Sequence, residues 1–291
     1  MKKLSVNKNI FKILSIIPIS FLYLILFYGI FISLIKSFGM YNAIGLNKWS
    51  FKYLYLLFSN ETARNMIISA ILRTFLVSFI EAFLSVSLAI IISAYLIKNK
   101  IYKHKVLYIP VVIPHIVVSM MLILLFSQNG FISRLFYHIG IIKNSNEFYP
   151  IINDKYNIGI VIAYLYKGVA YTLSVIYLIM KKNNERFYEV AKLMNVNFIN
   201  FVKDILVPTS FDSIATSFLI LFSFSFGAYE IPYMLGNTSR KLLPVIAYEK
   251  YLSPNLNDKP IFLSINLVMI IVGIINLIIY KKILDKGSVK N

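Results

Sequence analysis

Long runs of apolar side chains, separated by short polar and basic stretches, set the pattern of this chain. A run of about 20 apolar residues can cross the roughly 30 Å hydrocarbon core of a bilayer as a helix. Six such runs predict membrane helices near residues 13–36, 66–97, 106–127, 157–180, 209–231 and 261–280. No cleavage site follows the first run, so we interpret it as an uncleaved anchor.

The predicted fold is an all-α integral membrane protein with six transmembrane helices. We divide it into residues 1–60, which hold the anchor helix and the first outer loop, and residues 61–291, which hold a core of five helices. The apolar stretch 131–139 is too short to span, so we expect an interfacial or re-entrant helix at the outer face.

Composition supports a membrane protein and argues against an enzyme. Of the 291 residues, 58% are hydrophobic and 15% aromatic, and the mean hydropathy is +0.73, more apolar surface than one soluble core could bury. Cysteine is absent, which excludes disulfides and thiolate metal sites. The three histidines occur without clustered acids, and no HExxH or phosphate-binding loop motif is present. We therefore expect no catalytic residues, no metal site and no cofactor in this chain.

The distribution of Lys and Arg predicts the orientation. With the N-terminus in the cytoplasm, the inner segments carry 17 of these residues and the longer outer segments carry 10. This asymmetry follows the positive-inside rule, so we expect both termini in the cytoplasm of a multi-pass cell-membrane protein. Basic loops facing an anionic leaflet account for the net charge of +18, so no nucleic-acid partner is needed.

The longest inner loop, residues 185–208, has helical periodicity outside the membrane. Two stripes with i, i+3, i+4, i+7 spacing predict two short amphipathic helices: Phe187, Val190, Ala191 and Met194, then Phe198, Phe201, Val202 and Ile205. Asn195 lies at their junction and tolerates a left-handed backbone. We expect Pro208 to keep Val207 out of the α conformation and to begin the next membrane helix.

The same loop resembles the EAA loop of the inner-membrane permeases of binding-protein-dependent ABC importers. The matching positions are Glu189, Ala191, Asn195, Ile205, Val207 and Pro208. The chain departs from the family pattern at three positions, where Val190 replaces alanine, Asn195 replaces glycine and Val207 replaces leucine. In that family the loop is a coupling helix that docks on a separate ATPase, so the resemblance implies this role for Glu189, Ala191, Asn195, Ile205 and Pro208.

Three further stretches resemble the spermidine/putrescine-type permeases in the right order. They are LYIPVVIPHIVVSMMLILLFSQNGFISRLFYHIGI, YNIGIVIAYLYKGVAYTLSVI and SFSFGAYEIPYMLGNTSRKLLPVIAYEKY. The resemblance implies a non-catalytic permease with ABC ATPase subunits that bind ATP and Mg, a second permease of the same or a homologous kind, and an extracytoplasmic substrate-binding protein.

The implied function is import of a small solute, with a polyamine such as spermidine or putrescine favoured. Thiamine, ferric iron and phosphonate are alternative solutes within the same group of importers. A secondary transporter or channel that needs no ATPase is the alternative class. It would be expected to show inverted repeats and matching broken helices, and neither is clear in this sequence.

Ionisable residues inside the apolar runs are candidates for the translocation path, since each is unfavourable in lipid. Glu81 is either a cation site or a buried carboxylate with a hydroxyl or Arg partner, and Lys167 is a candidate partner for it. Glu230 is either a carboxylate at the mouth of the path or a hydrogen-bond acceptor for the next turn. For Arg73 we favour a side chain that snorkels to the membrane interface, and for His115 we favour a packing role.

Overall fold

The computed structural model describes residues 8–42, 45–101 and 105–288, and these residues are predominantly helical. Its long helices are α1 (Lys8–Ser37), α3 (Glu61–Lys98), α5 (His115–Phe126), α7 (Ile158–Leu193), α10 (Phe211–Gly227) and α13 (Asp258–Ser288). The short helices are α2 (Lys52–Leu56), α4 (Ile109–Val112), α6 (Phe131–His138), α8 (Phe198–Asn200), α9 (Val207–Thr209), α11 (Glu230–Leu235) and α12 (Leu243–Leu252). A two-residue antiparallel pair, β1 (Met40–Tyr41) and β2 (Leu46–Asn47), follows α1.

The prediction of an all-α membrane protein is confirmed. Five stretches of the described chain are long and apolar enough to span a bilayer: Ile16–Ser37, Glu61–Lys98, His115–His138, Ile158–Lys181 and Asp258–Lys282. A sixth span results if Phe198–Thr209 and Phe211–Gly227, which meet at 77°, are counted as one. The span predicted at 106–127 is interrupted, because Ile113 is extended and Pro114 separates α4 from α5.

The core of the bundle lies between α3 and α7, which pack together extensively, with α10 against them. Small buried side chains on α3, such as Ala82, Ser85 and Ala89, permit this close approach. In contrast, α1 packs against α13, and its side chains from Ile16 to Phe31 are exposed. In a membrane protein such exposed apolar faces contact lipid or another membrane subunit.

The cytoplasmic pair of short helices predicted between the fourth and fifth spans is only partly correct. The first is not a separate helix, because α7 continues from the membrane span to Leu193 without a break. At about 1.5 Å per residue, a helix of this length extends well beyond the hydrocarbon core. The second helix is separate and begins at Phe198.

Candidate functional site

The turn that ends α7 has the geometry predicted for Asn195. Its φ is +54°, in the left-handed region, and its N–H donates to the Lys192 carbonyl at 3.1 Å. The Val196 N–H then donates to the Ala191 carbonyl at 2.9 Å, so carbonyls at the helix end are satisfied. Asparagine therefore supplies the conformation that glycine gives more easily.

The chain after this turn re-enters a helix that remains unbroken past the predicted stop. The Asn197 side chain accepts a hydrogen bond from the Ile199 N–H at 3.1 Å and caps α8. Residues Phe201–Leu206 form a π-helical segment. Val207 is in the right-handed α conformation at φ −67° and ψ −50°, so the prediction for it was wrong. Pro208 lies within α9, and the membrane helix α10 begins only at Phe211.

The structure divides the two predicted apolar stripes, Phe187 to Met194 and Phe198 to Ile205, between buried and exposed positions. Ala191 is 3% exposed and Phe201 is fully buried, and the Tyr188 ring packs edge-on against Phe201 at 5.0 Å between centroids. Ile205 packs against the same core. The side chains of Val190, Leu193 and Met194 at the end of α7 and of Ile199 on α8 are exposed, with Leu193 84% exposed. We call these four residues the exposed apolar face.

Glu189 joins this segment to the loop that follows α3. Its Oε1 accepts a hydrogen bond from the Lys100 Nζ at 2.8 Å. This hydrogen bond and the charge of Lys100 lower the pKa of the Glu189 carboxyl. Both side chains are more than half exposed, so the pair contributes little to stability. It links the end of α7 to the loop after α3.

A second site is an open cavity of about 220 Å³ where α3, α7, α10 and the α4–α5 break meet, and the exposed side chains of Val111, Ile220 and Phe224 are part of its lining. Glu81, near the midpoint of α3, and Gly168, near the midpoint of the Ile158–Lys181 span, both line it. The remaining lining residues are His115, Tyr164, Lys167, Tyr171 and Leu221. Two of the three predicted path residues, Glu81 and Lys167, are therefore together here.

The Glu81 side chain is 1% exposed, and only one of its two carboxylate oxygens has a hydrogen-bond partner. Its Oε1 accepts a hydrogen bond from Ser85 Oγ at 3.1 Å, one helical turn away on α3. Its Oε2 is buried and has no hydrogen-bond partner. The neighbouring helix comes close at this point, because a Cβ added to Gly168 would lie 2.5 Å from Glu81 Oε1 and 2.4 Å from Ser85 Oγ.

The sequence suggested Lys167 as a partner for Glu81, but the two side chains do not pair. Its Nζ donates to the carbonyl of Ile113 and, at 3.4 Å, to that of Val111. These carbonyls lie at the end of α4, where the extended Ile113 before Pro114 ends the helix and leaves its last carbonyls without helical partners. The ammonium group thus satisfies backbone groups at a broken helix within the apolar region.

The other ionisable residues lie outside this cavity or serve as packing groups. Glu230 is the first residue of α11 and is half-buried, but it does not line the cavity. Arg73 donates from Nη2 to the Lys241 carbonyl at 3.1 Å. The His115 ring lies 5.1 Å from the Phe224 ring, in keeping with a packing role. Among the described residues, no three His, Asp or Glu side chains converge as a metal site.

The sequence did not indicate Ser85, Gly168, Tyr164 or Tyr171 as site residues. One signal was available, since Tyr164, Lys167, Gly168 and Tyr171 follow helical spacing and therefore share one face of α7. That spacing alone does not show which helix the face opposes. The contact with Glu81 depends on the rotation of α3 against α7.

Comparison with known proteins also indicates a membrane transport protein. A family model described as "Binding-protein-dependent transport system inner membrane component" matches residues 87–288. A solved bacterial ABC transporter involved in the import of the acidic polysaccharide alginate contains a chain that is 16% identical, with a TM-score of 0.72 over 95% of this chain and 96% of that one.

A bacterial alginate ABC transporter in complex with an alginate pentasaccharide-bound periplasmic protein gives 16% identity and a TM-score of 0.74 over 94% of this chain and 93% of that one. At this identity the likeness shows the fold alone. A search of curated proteins gave no match.

Proposed function

Because this chain belongs to the family of inner-membrane components of binding-protein-dependent transport systems, we propose that it is the permease subunit of an ATP-driven importer that takes up a small solute carrying a protonated amine. As a member of that family it is a non-catalytic transport subunit, and membership implies a partner permease and ATPase subunits. ATP and Mg would bind to the ATPase subunits.

The exposed apolar face is the observation that supports coupling to an ATPase. Val190, Leu193, Met194 and Ile199 lie beyond the apolar span that ends at Lys181, in a region that we assign to the cytoplasm. An apolar cluster exposed to water at this density is typical of a protein-binding surface. Ala191 and Ile205 would support this surface from beneath, and Asn195 and Pro208 would shape it.

A secondary transporter is the competing class, and one observation bears on it. The break between α4 and α5 at Pro114 resembles the discontinuous helices with which such transporters bind ions and substrates. That class has no use for an apolar face directed away from the membrane. The exposed apolar face therefore favours the ATP-driven importer.

For the solute, the sequence resemblance favours a polyamine, with thiamine, ferric iron and phosphonate as alternatives. Glu81 supports an amine, because it lines the cavity and its buried Oε2 has no hydrogen-bond partner. The two similar solved structures are alginate importers, and their low identity carries no information about this solute.

Leu193→Asp tests the coupling role. Because Leu193 is 84% exposed, the substitution leaves the fold of the segment intact but places a charge in any interface that excludes water. We expect normal membrane insertion and a loss of co-purifying ATPase of about tenfold or more. Lys192→Asp is the matched control, since the neighbouring side chain is also exposed and changes charge by more.

If Leu193→Asp retained the ATPase to the same extent as Lys192→Asp, this result would contradict the importer assignment. Ala191→Asp is a weaker test, because Ala191 packs inside this chain and its substitution would disturb the segment itself.

A further inference from the structure

An acidic and a basic side chain, Glu81 and Lys167, line the same cavity. Glu81 Oε2 is buried without a partner, and no ion pair joins Glu81 to Lys167 among the described residues. A buried carboxylate without a cation nearby is unfavourable at membrane depth. Glu81 also lines the cavity, so an ammonium group bound there would supply the missing partner.

Lys167 has one donor left over. An ammonium group has three N–H donors, and the carbonyls of Val111 and Ile113 accept two of them. The side chain also lines the cavity. The two carbonyls hold Nζ at the α4–α5 break, so Lys167 presents a fixed positive charge to a ligand in the same cavity as Glu81.

The charges of the lining select among amine ligands. Glu81 and Lys167 carry one negative and one positive charge, and the other lining residues are apolar or aromatic apart from His115 and the tyrosine hydroxyls. A linear polyamine would satisfy Glu81 but bring a second ammonium group toward Lys167, where like charges repel strongly in an apolar environment. A ligand with one positive and one negative end satisfies both side chains and adds no net charge.

The size and the lining of the cavity restrict the class of ligand further. A volume of about 220 Å³, below the 300–1,000 Å³ typical of sites for drug-sized ligands, suits a small ligand. The rings of Tyr164, Tyr171 and Phe224 line the site. Aromatic rings attract ammonium groups, which supports a ligand with a positively charged end.

We propose that this cavity binds a small zwitterion, with its ammonium group at Glu81 and its carboxylate at Lys167. The proposal rests on the proposed function, since it names the class of solute that the importer carries. The ammonium end would occupy the acceptor position of Oε2, and the carboxylate would accept the remaining N–H of Lys167.

Three four-carbon probes of similar length test the proposal: γ-aminobutyrate, putrescine and succinate. Isothermal titration of the full-length permease in lipid nanodiscs should show saturable binding of γ-aminobutyrate. Putrescine and succinate should each bind about tenfold more weakly or less, because each leaves one protein charge facing a like charge. Binding of putrescine as tight as that of γ-aminobutyrate, or no saturable binding of γ-aminobutyrate, would overturn the proposal.

Two variants test which side chain binds each end of the zwitterion. Glu81→Gln should weaken γ-aminobutyrate about tenfold and Lys167→Met by a similar factor, whereas Gly273→Ala on α13, away from the cavity, should leave the affinity unchanged. An unchanged affinity in Glu81→Gln would contradict the proposal. Lys167→Met also removes the bonds to the α4–α5 break, so the comparison of probes on the unmodified protein is the decisive measurement.

Co-purification of the ATPase with the same preparations separates this proposal from the importer assignment. If the ATPase is retained and γ-aminobutyrate does not bind, the zwitterion site is wrong and the importer stands. If γ-aminobutyrate binds and no ATPase associates, the site stands and the importer is wrong.

Discussion

At the scale of single residues, Gly168 shows how one missing methyl group shapes the interior of the bundle. The absence of a side chain lets α7 approach the Glu81 carboxylate and the Ser85 hydroxyl on α3. A glycine in a helix interior is less favourable than alanine by up to about 1 kcal/mol, so the sequence alone indicates a weak point in α7. The packing gives the reason for it.

Gly168→Ala should destabilise the permease by about 1–3 kcal/mol, because the added methyl group overlaps with Glu81 Oε1 and Ser85 Oγ in a packed interior. The thermal unfolding midpoint of the purified protein in one detergent measures the effect. Gly273→Ala in α13 is the matched control, since an added Cβ there meets no atom within 4 Å. Equal midpoints for the two variants would contradict the close approach of α3 and α7.

Lys167 shows the limit of interpreting charges from sequence. An acid and a base in two adjacent apolar runs suggest an ion pair, yet the backbone carbonyls of Val111 and Ile113 are the partners of Lys167. Those carbonyls lie where the helix ends, at the residue before Pro114. The proline is visible in the sequence, but the proximity of residues 111–113 to α7 is a tertiary contact.

At the scale of secondary-structure elements, the turn at Asn195 and the helix after it determine which face of α7 is exposed. The turn folds Phe201 and Leu206 back onto Ala191, and Val190, Leu193 and Met194 therefore remain outside. The π-helical segment Phe201–Leu206 precedes Pro208, where a regular α-helix would meet the proline ring. The helix therefore continues past Leu206 instead of ending there.

Asn195→Ala should loosen this segment by about 1 kcal/mol, since a left-handed backbone is less favourable for alanine than for asparagine. Hydrogen exchange of the amides of residues 196–206 should accelerate about fivefold, and Asn195→Gly should not accelerate it. Asn200→Ala is the control, because Asn200 is exposed and has an ordinary helical backbone. If both alanine variants exchanged alike, the strained turn would not be what stabilises the segment.

At the scale of the whole molecule, the arrangement of charge predicts an orientation that the fold alone does not establish. The end of α3, with Lys98, and the end of α7, with Lys192, lie together, and Lys100 in the loop after α3 pairs with Glu189 on α7. We assign this end of the bundle to the cytoplasm, since it holds the denser basic segments.

Single cysteines test this orientation cleanly, because the natural chain has none. Asn195→Cys should resist an impermeant thiol reagent added to intact cells, whereas Asn257→Cys, before α13 at the opposite end of the bundle, should react. Disrupted membranes should expose both positions and serve as the control for reactivity. Labelling at 195 and protection at 257 would mean that the chain is inserted the other way round.

The sequence by itself determined the class of protein, the approximate spans and the turn at Asn195. Each of these depends on neighbouring residues: a run long enough to cross a bilayer, or one residue that tolerates a left-handed backbone. It also determined that an amphipathic segment follows the fourth span, since helical periodicity is local.

Only the tertiary structure decided which side of each helix faces which neighbour. It directed Ala191 inward and Leu193 outward, brought Gly168 against Glu81, and joined Lys167 to a broken helix instead of to an acid. A membrane helix is apolar on nearly all sides, so its hydrophobic pattern does not specify its rotation. Close packing and the pairing of the few polar groups do so, and both depend on residues far apart in the chain.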